Sequence, residues 1–132
     1  MISSLSRYQY VASLLLRLVI GAVFLYHGGA KWAMWSQPGL GGMTGLMKLL
    51  SILEPIAALA VIAGFCTRFA ALFLGIVMAG AILTKITAWH LAFSMGQGTG
   101  WEFDLTLLAA CLALACFGPG RLSADALMRN DA

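Results

Sequence analysis

An all-α membrane protein, folded as an antiparallel bundle of four transmembrane helices, is the fold class this sequence predicts, and three observations predict it. Of the 132 residues, 61% are hydrophobic and only 10% are charged, far below the roughly one quarter charged in soluble domains. The apolar residues gather in four runs, at about 10–30, 45–64, 68–86 and 101–117. Each run is close to the ~20 residues that a ~30 Å hydrocarbon layer asks of a helix. Strands are excluded, because an open sheet leaves backbone groups unpaired in lipid and four segments are too few to close a barrel. Residues 1–132 read as a single membrane domain.

The first run follows Arg7 and ends in His27-Gly28-Gly29-Ala30-Lys31 rather than at a small-residue cleavage site. It is therefore expected to direct insertion and to stay in the protein. A glycine-rich loop over 31–44 follows, carrying Trp32, Trp35 and Pro38. The second run holds Glu54-Pro55 near its centre, and Phe65-Cys66-Thr67-Arg68 after it forms a tight turn. That turn makes the second and third runs antiparallel neighbours. Ala71, Gly75 and Ala79 recur every four residues in the third run, and small side chains at that spacing let another helix approach closely. Ala109 and Ala113 repeat the pattern in the fourth run, and Gly21 offers a similar contact in the first.

The second long loop, 87–100, carries Trp89, His90 and Gly96-Gln97-Gly98-Thr99-Gly100. It is rich in glycine but follows no strand, so it reads as a loop and not as a phosphate cradle. Glu102 and Asp104 open the fourth run, where acids complement the helix dipole. Gly118-Pro119-Gly120 ends it, since proline and glycine break a helix. Ser123 then caps a short interfacial helix at about 122–129.

Eight basic and five acidic residues give a net charge of +3. The basic residues stand singly at segment ends, with no basic stripe interleaved with aromatics, so nucleic acid is rejected as a partner and membrane lipid is expected. Arg7, Arg17, Arg68, Arg121 and Arg129 lie on the side of the termini, against Lys31, Lys48 and Lys85 on the side of the long loops. That bias favours cytoplasmic termini in a multi-pass protein of the bacterial inner membrane. Three tryptophans in the long loops, with Trp101 at their edge, suit an aromatic belt. Cys66, Cys111 and Cys116 show no CxxC spacing, and a separation of five places Cys111 and Cys116 poorly for contact. They read as inert thiols.

Glu54 is the candidate centre of function. A carboxylate at bilayer depth is costly unless paired or protonated, marks a functional site by default, and is too short to reach water by snorkelling. Pro55 frees the carbonyl of Ser51 beside it. The alternative is a buried ion pair or hydrogen bond that fixes helix register. His27, after Tyr26, either faces Glu54 across the bundle and shares a proton with it or is a satisfied interfacial histidine. Lys31, one turn on, reads as an anchor reaching the headgroups. Arg17 either snorkels to the opposite headgroups or pairs with Glu54, and the sequence leaves both open.

Thr84, Lys85 and His90 come to the same level as Glu102 and Asp104. His27, Glu54, Lys85, His90, Glu102 and Asp104 are thus expected to ring one cavity on the long-loop side. Such a ring suits a polar headgroup, a phenol or a quinone, with titratable groups arranged for proton transfer. Glu54 and His27 are the candidate catalytic residues; Arg17, Tyr26, Lys85, His90, Glu102 and Asp104 are candidate ligand-binding residues. Metal binding is disfavoured, because no His-x-x-His or His-x-x-x-His spacing occurs.

These motifs together resemble the DoxX family of small four-helix membrane proteins. The resemblance rests on Arg17-Leu18 with Gly21, Phe24 to Lys31, Glu54-Pro55 with Ala57, Gly64-Phe65-Cys66-Thr67-Arg68, His90, Glu102, and Gly118 to Ser123 with Asp125. No single piece is specific, but their order and spacing are. The resemblance implies an inner-membrane protein associated with redox chemistry: a subunit linked to thiosulfate:quinone oxidoreductase or a terminal oxidase, to quinone or catechol detoxification, or to a complex with superoxide dismutase and a sulfurtransferase-like partner. The chain has no redox-ready cysteine pair, so a quinone or a partner protein would have to carry electrons.

Three functions are therefore open. The first is a quinone- or small-phenol-binding subunit of a redox or detoxification system, with a buried carboxylate and histidine handling protons. The second is a transporter of a small thiol, sulfur species or weak acid, which would need a homo-oligomer for access from both faces. The third is a non-catalytic scaffold that recruits redox enzymes through the loop 64–68 and the tail after Gly120.

Overall fold

The computed structural model describes residues 8–36 and 43–130. Arg7, counted in the charge bias, and Pro38, placed in the first long loop, lie outside the described residues. The elements in order are α1 (Gln9–Trp32), a 3-10 turn (Ala33–Ser36), α2 (Met43–Ala63), α3 (Thr67–Thr87), α4 (Trp101–Phe117) and α5 (Ala124–Asn130). Residues 31–36, expected to be loop, are thus helical.

Among the described residues three helices, not four, are long and apolar enough to cross a membrane: Gln9–Trp35, Gly45–Ala63 and Thr67–Thr87. The expected four-span bundle is corrected to an all-α, multi-span bundle with three such helices. α4 falls short for two reasons. Its 17 residues rise only about 26 Å at ~1.5 Å per residue. Glu102 and Asp104 also occupy its first turn, so the uncharged stretch from Leu105 is shorter still. α4 is nevertheless packed in the bundle, and its contact with α3 is the most extensive between any two elements, followed by α1 with α2.

The start of α1, the α2–α3 turn, the end of α4 and α5 meet at one end of the molecule, here called the tail end. Ser13 Oγ donates to the Gly118 carbonyl at 3.0 Å, and the Asp125 N–H donates to the Gly64 carbonyl at 2.9 Å. The opposite end, where α1 finishes and α2 begins, is here called the loop end.

The core is a thin seam of Ile20, Phe24, Ala58, Val61, Ala71, Leu74, Cys111 and Leu114. Outward faces carry exposed Val19, Ile56, Leu59, Leu72, Ile76 and Leu83. Apolar surface on this scale is solvated by lipid, and helices in lipid associate by close packing rather than by hydrophobic burial. Close packing explains two of the glycines. A Cβ on Gly28 would stand 2.7 Å from Pro55 Cγ, and one on Gly21 would overlap Ile62, whereas one on Gly75 would make only ordinary contact with Cys111 Cβ at 3.5 Å. Ala71 and Gly75 are buried but Ala79 and Ala109 are exposed. The small-residue stripes therefore contribute only in part, and Cys111 takes the place expected of Ala109 and Ala113 at the α3–α4 contact. All three cysteines are free.

Candidate functional site

Glu54 lies midway along α2 and is fully buried. α1 reaches it because Gly28 lets the two helices touch at Pro55, which brings the next turn of α1 against Glu54. Lys31 Nζ there donates to Glu54 Oε1. The lysine side chain keeps 21% of its surface exposed and the carboxylate keeps none. Among the described residues the second oxygen, Oε2, has no hydrogen-bond partner. A buried acceptor without a hydrogen bond costs about 1–3 kcal/mol, more when charged, and Oε2 carries that cost at the α1–α2 contact.

The groups around the pair are fixed by the same proline. Pro55 has no N–H for the Ser51 carbonyl, and Trp32 Nε1 donates to that carbonyl at 2.8 Å. Trp35 Nε1 donates to Ser51 Oγ at 3.0 Å, and Ser51 Oγ donates to the Lys48 carbonyl at 2.7 Å. The Lys48 ammonium stands 5.7 Å from the Trp35 ring centroid. Both tryptophans thus do more than mark an interface, and with Lys31 and Ser51 they are members of the site that the sequence reading did not assign. A signal was present: a carbonyl freed by proline inside an apolar helix needs a donor, and Trp32 is four residues from Gly28.

A second ion pair joins α3 and α4. Lys85 Nζ is 2.6 Å from Asp104 Oδ2, and both side chains are largely buried. Oδ2 lacks a directional hydrogen bond, so the contact is ionic. The same ammonium approaches the carbonyls of Thr99 at 3.5 Å and Gly100 at 3.3 Å, holding the loop before α4. Glu102 Oε1 accepts from Ser94 Oγ at 2.9 Å.

At the tail end Arg17 is 2% exposed and is satisfied by backbone alone. Nε donates to the Val61 carbonyl at 2.9 Å; Nη1 donates to the carbonyls of Pro119 at 3.0 Å and Leu122 at 2.6 Å; Nη2 donates to that of Ile62. It thereby ties the last turn of α2 to the chain after α4. Asp125 completes this end. The N–H groups of Cys66 and Thr67 and the Thr67 hydroxyl donate to its carboxylate at 2.7, 3.0 and 2.9 Å. The two N–H groups are orphan donors of the α3 N-terminus, which Cys66 does not cap itself. Burial pushes the Asp125 carboxyl up, but the bonds from Thr67 and Cys66 and the nearby Arg17 charge outweigh it and hold it below its ordinary value. Ser123 Oγ accepts from the Ala126 N–H at 3.1 Å, capping α5.

The expected six-residue ring is thus resolved into separate pairs. Glu54 pairs with Lys31 and not with His27 or Arg17. His27 is exposed, 5.5 Å from the Tyr26 ring and 5.6 Å from the Phe103 ring, so the expected carboxylate–histidine pair is corrected to a carboxylate–lysine pair. Lys31 is not a headgroup anchor. Lys85 and Asp104 come together, but among the described residues no hydrogen bond or ion pair links them to Glu54. Tyr26 is 75% exposed, and His90 is exposed with a left-handed φ of 50°. Among the described residues no group of three His, Cys, Asp or Glu side chains could hold a metal ion.

Fold and buried charge define a small multi-pass membrane protein with ion pairs inside an all-α bundle. The DoxX family profile matches residues 12–86, more than half of the chain, and the protein belongs to that family. Membership carries the family's general association with redox and oxidative stress. The match includes Arg17, His27, Lys31, Glu54 and Lys85, whereas His90, Glu102, Asp104 and the tail lie beyond it. No curated protein and no solved structure matches the chain significantly.

Proposed function

We propose that this protein is a redox-associated subunit of the bacterial inner membrane, acting as one membrane domain with cytoplasmic termini, that binds a small phenol or quinone at the Lys31–Glu54 pair. The single observation that carries the reading is the fully buried Glu54 carboxylate with Oε2 unpartnered among the described residues. An ionised carboxylate only accepts hydrogen bonds, so a donor such as a phenolic O–H would satisfy it. The Lys31 ammonium has donors beyond the one given to Oε1, and these suit a quinone carbonyl. The pair therefore offers a partner to both the reduced and the oxidised form of one ring. Trp32 and Trp35 supply aromatic surface beside it, and His27 stands one helical turn from Lys31 for onward proton exchange. Any electrons would be carried by the ring and by a partner protein that supplies or removes them, since this chain has no paired thiols.

The scaffold reading has less support. The α2–α3 turn that would serve as its docking surface is already occupied by the chain's own Asp125.

Protein purified in mild detergent is expected to carry a phenolic or quinone molecule that solvent extraction and mass spectrometry detect, and Glu54→Gln is expected to lose it. Equal retention by the variant would reject the role of the carboxylate.

A further inference from the structure

We propose that the tail end of the bundle is a binding site for one anionic phospholipid, with the phosphate held by Arg68, Arg121 and Arg129 and an acyl chain in the adjoining apolar cavity. Two open cavities meet at this end. One, of about 740 Å³, is lined by those three arginines together with Phe69, Phe117 and Asp125. The other, of about 670 Å³, lies between α1 and α4; Ala12, Leu16, Leu114 and Phe117 make its wall mainly apolar, with Gln9 and Ser13 as polar members. Both cavities share Phe117, Gly120 and Arg121, so a charged chamber opens directly onto an apolar one.

The charge balance fits a phosphate. Among the described residues none of the three arginines is ion-paired; Arg68 makes only a long contact, 3.4 Å, to the Ala115 carbonyl. Asp125 is the one acid in the lining, and both its oxygens are taken by Cys66 and Thr67. Guanidinium groups match phosphate oxygens with paired hydrogen bonds. The position fits a lipid as well. The arginines stand at helix ends, and Phe69 and Phe117, 79% and 82% exposed, line the same cavity and offer apolar surface to a lipid chain. A free phosphate would use the first cavity alone; a phospholipid uses both. Arg17, buried and committed to backbone carbonyls, is the frame of this end and not part of the ligand contact.

Native mass spectrometry of the full chain in detergent tests this, with dioleoyl-phosphatidylglycerol, dioleoyl-phosphatidylcholine and dihexanoyl-phosphatidylglycerol added separately. The dioleoyl anionic lipid is expected to bind in one copy and at least about fivefold more tightly than the choline lipid, and more tightly than the short-chain one. Arg121→Gln is expected to remove that preference, and Arg68→Gln with Arg129→Gln repeats the test without touching the loop after α4. Equal binding of anionic and choline lipids, or an unchanged preference in both variants, overturns the proposal. Displacement of the dioleoyl lipid by millimolar inorganic phosphate, or equal binding of the short-chain lipid, reduces the site to a simple anion site and overturns it too.

Discussion

Arg17 and Glu54 are both charged, both buried between α1 and α2, and differ in how they are satisfied. Arg17 spends its donors on four backbone carbonyls, so its charge is dispersed into the ends of α2 and α4. Glu54 has one ionic partner and one oxygen with none among the described residues. A buried charge bonded at each of its nitrogens acts as a fastener, because a ligand has little to add to it. A buried charge that is half bonded retains capacity for a ligand that can complete it. The same helix pair thus holds its structural fastener at the tail end and its candidate site nearer the loop end.

Four substitutions probe that contrast, in order of expected effect. Arg17→Met leaves the α2 and tail carbonyls without donors and should cost about 3–5 kcal/mol, read as the midpoint of unfolding in detergent and denaturant. Arg17→Lys should recover little, since one ammonium cannot span the same set. Lys31→Met leaves a buried carboxylate uncompensated and should cost about 3 kcal/mol. Adding Glu54→Gln to it should restore much of that loss, a coupling of more than about 1 kcal/mol in the same measurement. Additive losses would show that the pair does not interact as described.

Asp125→Ala should cost about 1 kcal/mol, the worth of a helix N-cap. Its pH dependence has a definite sign. A carboxyl held below its ordinary value contributes stability that is complete above about pH 4 and is lost as pH falls through the lowered value. Wild type should therefore show a loss of stability below about pH 4 that Asp125→Ala lacks. Tyr26→Ala, at an exposed position, should change stability by less than about 0.5 kcal/mol and leave ligand retention unaltered. A clear loss of retention there would move the site outward from the ion pair.

The sequence made some of this visible and hid the rest for identifiable reasons. The break at Gly118-Pro119-Gly120, the turn after Gly64, the cap at Ser123 and the carbonyl freed by Pro55 are local consequences of residue type, and all stand in the structure. The shortfall of α4 was missed: its run passes for a span although Glu102 and Asp104 shorten an already brief apolar stretch. Partners across helices were not legible. Whether Glu54 meets Lys31, His27 or Arg17 depends on the register set by Gly28 against Pro55, which a single chain does not announce. Arg17 bonds only carbonyls, which carry no sequence signature. Asp125 serves donors 58 and 59 positions away, so it read as a residue of its own short helix.

The most direct test of the central claim is tryptophan quenching by a short-chain benzoquinone and its quinol, in a Trp89→Phe, Trp101→Phe background that leaves Trp32 and Trp35 beside Ser51 as reporters. The account expects saturable quenching, weakened about tenfold or more by Glu54→Gln, as the loss of a charge-assisted hydrogen bond implies. The unfolding midpoint of that variant should stay close to that of the parent. Superimposable titrations of the two proteins would contradict it, and would make Glu54 a fastener like Arg17.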